Sequence, residues 1–272
     1  MKFHRSLIAL LTDFGEDDYF VASLKGVIAS INPGAKTVDI THRIPSFDIG
    51  AGAFVLFAAF RFFPPGTIFL AVVDPGVGTE REILVAETDL HAFVGPNNGL
   101  LSLALEAGKL KQLRYATNPD YFLPEVSRTF EARDKMAPIA AHLAANVPLS
   151  EFGASAAGFI RTLPLRPEFG KKSLSGRILY VDKFGNLVTN IPSTWKDVWP
   201  TAHASGRDRP AVLEVGGVEI VRFSQNYLSA PERELFVLEG SQGLLEISLR
   251  RSSAAARLGV RAGDPVRLSL RL

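Results

Sequence analysis

Apolar positions in the first half of the chain change period repeatedly, between a continuous or alternating run and a helical one. "SLIALLTDFG" (6–15) is an unbroken apolar run that ends in a turn, the pattern of a strand buried on both faces. "DDYFVASLKGVIASINPG" (17–34) has helical spacing, with acids expected in the first helical turn and Asn-Pro-Gly as the stop. "KTVDITHRI" is strand-like, "DIGAGAFVLFAAFRFFPPG" helical, and "TIFLAVVDPGVG" a strand that stops in a rigid turn. The strands of "EILVAETDLHAFVGPNNG" follow, then helices predicted over "LLSLALEAGKL" and "DKMAPIAAHLAANV". Strands alternating with helices of this length predict an α/β domain around a doubly wound, mainly parallel sheet.

The pattern changes after "RTLPLRPEFGKKSLSG", which is rich in Pro, Gly and Lys. Beyond it lie only strand-length runs broken by glycine turns: "GRILYVDKFGNLVTNIP", "AVLEVGGVEIVRF", "FVLEGSQGLLEISL" and "DPVRLSL". Gly216-Gly217 between two apolar runs is a hairpin signal. The expectation is two domains, α/β over 1–163 and a small β-barrel over 164–272, with no repeat and no low-complexity tract.

Composition narrows the function class. The 272 residues carry 30 basic and 28 acidic side chains, so the net charge of +2 provides no clustered basic face for nucleic acid. There is no cysteine, which excludes disulfides, thiolate nucleophiles and Cys metal sites. The start "MKFHRSLIALLTDFG" mimics a signal peptide, but its apolar run meets Thr12 and Asp13 too soon and no cleavage site follows. No apolar stretch reaches membrane-spanning length, so a cytoplasmic protein without membrane contact is expected. The five histidines (His4, His42, His91, His142, His203) have no metal-ligand spacing, no Gly-x-Ser-x-Gly elbow occurs, and Gly76-Val77-Gly78 lacks the continuation that a pyrophosphate loop needs. No metal and no cofactor are expected.

In an open α/β sheet, ligands sit beyond the carboxyl ends of the strands. "LLTDFG", "VVDPGVGTER" and "FVGPNNG" fall at such ends. Each has the residues of an ordinary turn, and Asp13 also has the chemistry of a helix cap. Asp74 stops an apolar strand with Arg81 seven positions on, an arrangement able to hold a small polar reactant or to form a surface ion pair. "TFEARDKMAP" (129–138) crowds Glu131, Arg133, Asp134 and a lysine before an apolar helix, either as a charged helix start or as part of a site.

Together, "TDFG", "VVDPGVGT", "GPNNGLL", "TF-x-x-RD-xx-AP-xAAHLA" and "DKFGN…TNI" resemble, in order and from about Leu7 to Asp264, the S-adenosyl-L-methionine (SAM) hydroxide adenosyltransferases. These adenosine-forming SAM hydrolases are relatives of the fluorinase and chlorinase. The resemblance implies an α/β domain followed by a β-barrel, and a homotrimer with the active site between one subunit's first domain and its neighbour's second. By the same resemblance Asp13 grips the ribose hydroxyls and Phe47 lies against the sugar and C5′. Asp74 and Arg81 match two members of the hydrolase's Asp–Arg–His set. Asn186 matches an adenine-reading asparagine, and Asp182 and Ser241 fall where the methionine amine and carboxylate are held. The chain departs from the pattern at Glu131, where the hydrolases usually carry histidine. Arg133 and Asp134 match and are expected to fix the helix entry. In the fluorinase an aromatic stands at the position of Asp74 and a serine at that of Ala132.

The implied reaction is attack of water or hydroxide on C5′ of SAM, giving adenosine and L-methionine. A sulfonium leaves as a neutral thioether, so no general acid is needed; the protein has to place and desolvate an oxygen nucleophile. A bare halide beside the carboxylates of Asp74 and Glu131 is disfavoured. Two readings remain: an active hydrolase, or a catalytically weak SAM or adenosine binder. In the site, Glu131 is expected to face Arg81 as an ion pair.

Overall fold

The computed structural model describes residues 6–198 and 211–270; the basic start with His4, and also His203, lie outside them. By internal contacts the chain divides into two units, Met1–Thr162 and Leu163–Leu272.

In the first unit six strands form one sheet: β1 (Leu7–Thr12), β2 (Lys36–Thr41), β3 (Ile68–Val72), β4 (Ile83–Thr88), β5 (Ala92–Pro96) and β6 (Leu110–Tyr115), in the order β2-β1-β3-β5-β4-β6. β2, β1, β3 and β5 are parallel neighbours; β4 runs against both β5 and β6, so β4 alone is reversed. The sheet is mixed, as a short hairpin link between β4 and β5 requires, and parallel along the edge that carries the site.

Alternate residues of β1 and β3 explain the burial on both sides. Ile8, Leu10, Ile68, Leu70 and Val72 face a core with α1 (Phe20–Ile31) and the helix Ala137–Ala144. On the opposite face Phe69 stacks on Phe93 and meets Phe60 of α2 (Ile49–Phe60). Covering both faces is what the unbroken apolar run of β1 requires.

Local expectations needed correction at three places. α1 starts at Phe20, with no acid in its first turn; Asp17 and Asp18 precede it in the loop. The third helix, α3 (Ser102–Ala107), is short, and Leu110–Tyr115, not foreseen as a strand, pairs with β4, where tertiary pairing overrides a mixed local pattern. Before α4 (Ala137–Ala144), residues Ala132–Met136 form a π turn, in which the Ala137 N–H reaches back five residues to the Ala132 carbonyl.

The second unit is an antiparallel, nearly closed barrel. Its strands are β7 (Glu168–Phe169), β8 (Ser173–Val181), β9 (Leu187–Pro192), β10 (Ala211–Val215), β11 (Val218–Ile220), β12 (Leu235–Glu239), β13 (Leu244–Leu249) and β14 (Pro265–Leu270), in the order β11-β10-β14-β8-β9-β13-β12, with β7 beside β8. Hydrogen bonds of 2.9 Å from Val237 N–H to the Arg222 carbonyl and 2.8 Å from Ser224 N–H to the Val237 carbonyl bring the chain after β11 back to β12. The β10–β11 turn uses Gly216 and Gly217 at φ 56° and 76°, the positive pair a tight hairpin demands. Leu174, Ile178, Leu213, Ile247 and Leu268 fill the interior.

Candidate active site

β1 leads out to β2 on one side and the chain returns to β3 on the other, so the loops after β1 and β3 diverge and leave a crevice at this switch point. Thr12 pairs with Val72 across the two strands, which puts Asp13 and Asp74 just beyond neighbouring strand ends. A cavity of about 380 Å³ opens there, lined among others by Asp13, Phe47, Asp74, Phe130, Glu131 and Ala132. Four stretches widely separated in sequence thus converge on one pocket, the last of them bringing the small side chain of Ala132.

Asp13 does not cap α1, whose first turn has no side-chain cap. Its Oδ2 accepts the backbone N–H of Phe47 at 2.9 Å. Phe47 has φ 68° and an exposed ring, and the next residue, Asp48, caps α2 through the Ala51 N–H. A non-glycine residue at positive φ costs energy and persists only when its surroundings hold it. The Asp13 carboxylate does so here, presenting the aromatic at the cavity rim.

Asp74 and Arg81 are one unit rather than a surface pair. Arg81 Nε donates to Asp74 Oδ1 at 2.9 Å and Nη2 lies 2.5 Å from Oδ2, with side chains only 10% and 5% exposed. The β3 end is fixed from behind: Asn98 of "GPNNG" donates its amide to the Val73 carbonyl at 2.8 Å and accepts the Leu100 N–H. The third strand-end motif therefore holds the strand end that carries Asp74. Arg81 Nη1 is buried with no hydrogen-bond partner. Buried donors are normally satisfied, so this one is an exception; Arg81 is not itself a lining residue and meets the cavity through Asp74 and Glu131.

Glu131 faces Arg81. Its Oε2 accepts from Arg81 Nη2 at 2.5 Å and more weakly from the Gly78 N–H at 3.5 Å. The approach depends on Gly78, at φ 78°, where a Cβ would lie 2.3 Å from the Arg128 carbonyl oxygen. Oε1 takes Lys135 Nζ at 2.5 Å. Burial alone would raise the Glu131 carboxyl, but the Lys135 hydrogen bond and the Arg81 and Lys135 charges outweigh it and hold the group below its ordinary value. Asp134 is fully buried, accepts the Ser127 N–H at 2.8 Å and pairs with Arg133, whose guanidinium lies over the Phe130 ring. These two residues build the helix entry that aims Glu131 and Phe130.

The remaining three positions lie in the second unit. Asp182 and Asn186 close the β8–β9 turn on each other: Asp182 accepts the N–H groups of Phe184 and Asn186 and, at 2.9 Å, the Asn186 side-chain amide. They line a cavity of about 680 Å³ with Tyr227, Leu228 and Arg250–Ser253. Ser241 is not among its lining residues; it is exposed in the β12–β13 turn, at the opposite end of β13 from Leu249. Two residues escaped the sequence reading. Lys135 had a local signal, the Glu–Lys spacing of four. Tyr227, whose hydroxyl donates to Glu246 at 2.7 Å across 19 positions, had none. Among the described residues no group of three or more His, Asp or Glu is placed to hold a metal, and no helix is long and apolar enough to cross a membrane.

A parallel switch-point crevice holding an Asp–Arg pair, in a unit followed by an antiparallel barrel, defines a two-unit α/β-plus-barrel protein with a small-molecule site. Comparison with known proteins makes the class particular. The sequence pattern of the SAM hydroxide adenosyltransferase N-terminal domain matches residues 8–153, and that of its C-terminal domain residues 176–267. The chain belongs to this family. It is 35% identical over 269 residues to the (R)-S-adenosyl-L-methionine hydrolase of Thermus thermophilus, covering 96% of this chain and 98% of that one. A fluorinase of Actinoplanes sp. is 31% identical over 69% of this chain and 72% of its own length. A crystal structure of a conserved protein from Thermotoga maritima matches with a TM-score of 0.85 and 33% identity, covering 96% of this chain and 99% of that one.

Proposed function

We propose that the protein hydrolyses SAM at C5′, giving adenosine and L-methionine, with no cofactor. The observation that carries this reading is Asp74 in the cavity wall, ion-paired to the buried Arg81 behind it, whose Nη1 has no partner. Asp74 accepts a hydrogen bond from the attacking water and orients it; Arg81 stabilises the hydroxide character that develops. Asp13 takes the ribose hydroxyls on the oxygen that Phe47 does not use, and the Phe47 ring covers the sugar. The names of the relatives matched over nearly the whole chain support hydrolysis over halogenation. So do Asp74 and Glu131, two carboxylates where a desolvated halide would have to sit. In the second unit we assign the methionine amine to Asp182, its carboxylate to Ser241 and adenine to the side-chain carbonyl of Asn186. This part of the proposal, the homotrimer and a cytoplasmic location rest on the family resemblance.

A weak SAM or adenosine binder is the second reading, favoured by one observation: Glu131 draws on the same arginine that is to stabilise hydroxide. Incubation with SAM, followed by chromatography for adenosine and methionine, separates the two. Hydrolysis yields both products in equal amounts and is lost in Asp74→Ala. Binding without adenosine release in the wild type refutes the hydrolase.

A further inference from the structure

Lys135 has no part in the residue set that the family resemblance carries over, yet it completes a buried charge chain. Asp74, Arg81, Glu131 and Lys135 follow one another through contacts of 2.5 Å, with side chains 5%, 10%, 9% and 25% exposed. Two negative and two positive charges sum to zero. Without Lys135 the same cluster would carry a net negative charge beside the place where a negatively charged nucleophile has to form.

The lysine is also held in position. Its ammonium lies 5.6 Å over the Phe122 ring, and the strand of chain behind that ring is tied to the π turn by the Leu123 N–H on the Asp134 carbonyl at 2.8 Å. Glu131 and Lys135, four residues apart, fall on the same side of the turn that opens the helix. The charged groups facing Glu131 are Arg81, Asp74 behind it, and Lys135; Arg133 is engaged by Asp134.

We propose that Lys135 is a positioning residue of this site: it takes one oxygen of Glu131, fixes that carboxylate edge-on to Arg81, and offsets its charge so that Arg81 keeps its capacity for the reacting oxygen. This rests on the reading of the site as a SAM-hydrolysing one. It also explains how a chain with glutamate at this position retains a working Asp–Arg pair: the carboxylate arrives together with its own counter-charge. Lys135 is not among the residues lining the cavity, and its ion pair is with Glu131.

The test uses the intact protein with Lys135→Met, which keeps the apolar stem on Phe122, with Lys135→Arg, and with Lys135→Met in a Glu131→Gln background. Lys135→Met is expected to lower kcat about threefold at pH 8 with KM changed less than about twofold, because the lost offset acts on the transition state. Lys135→Arg recovers most of that loss, since the charge is kept and only its geometry changes. In the Glu131→Gln background Lys135→Met has no further effect, as coupling through Glu131 requires. Independently of activity, the carbon-13 carboxyl resonance of Glu131, assigned by its loss in Glu131→Gln, titrates at higher pH in Lys135→Met than in wild type. Wild-type kcat with an unmoved titration, or an equal loss of kcat in the Glu131→Gln background, overturns the proposal. Should the wild type release no adenosine, the hydrolase reading fails by itself; the titration then still decides whether Lys135 holds Glu131.

Discussion

Replacing Glu131 by histidine should raise turnover rather than abolish it. The carboxylate sits on Arg81 Nη2 at 2.5 Å while Asp74 takes Nε and the same Nη2 of that guanidinium, so one cation serves two anions. Only the part of this interaction that changes on the way to the transition state alters the rate. A full negative charge about 6 Å from half a developing charge opposes it by roughly 1.4 kcal/mol at an effective dielectric of 20. That is about tenfold in rate, and Lys135 cancels about half of the free energy, which leaves an expected gain of about threefold for Glu131→His at pH 8. The contrary account makes Glu131 the base. Its carboxyl is held below its ordinary value despite burial, by the Lys135 hydrogen bond and the two neighbouring cations, which makes it a weak base and argues against that role. The assay is adenosine release at saturating SAM for wild type, Glu131→His and Glu131→Ala, with SAM affinity measured in parallel. Loss of turnover in both substitutions with SAM still bound would show that Glu131 is the base and would refute the electrostatic argument; identical turnover in all three would remove Glu131 from the chemistry.

Asp13→Ala is expected to weaken SAM and adenosine binding about tenfold or more, the worth of charge-assisted bonds to ribose hydroxyls, and unchanged adenosine affinity in calorimetry would reduce Asp13 to a tether for the Phe47 loop. Asn98→Ala removes the donor on the Val73 carbonyl; a loss of about 1–2 kcal/mol in denaturant unfolding is expected together with a lower kcat, and an unchanged kcat would mean that Asp74 holds its place without this support. If the protein assembles as its family resemblance implies, light scattering should give three times 29.5 kDa, and a stable, fully active monomer would sink that part of the proposal.

How much of this molecule is written locally can be seen by comparing particular residues. The β1 run, the Gly216-Gly217 hairpin and the change of period between the two halves are patterns among near neighbours along the chain, and they translate directly into a strand buried on both faces, a tight turn and two architectures. Asp74 and Arg81 were legible for the same reason: both sit on one short loop, seven positions apart, at a strand end. Lys135 lay in plain view at helical spacing from Glu131, but its importance depends on a third residue 50 positions before Glu131.

What only the tertiary structure decided involves contacts that no local pattern encodes. Leu110–Tyr115 becomes a strand because β4 offers it an edge, and Asp13 is a loop anchor rather than a helix cap because Phe47 comes within hydrogen-bond reach across 34 positions. Asn98 reaches back 25 residues to hold the strand end beneath Asp74, and Gly78 leaves room for Arg128 and so for Glu131. In each case the side chain is an ordinary turn or surface residue by its own chemistry. Its role follows from which group the fold buries opposite it, because a polar atom removed from water has to take the partner the packing provides.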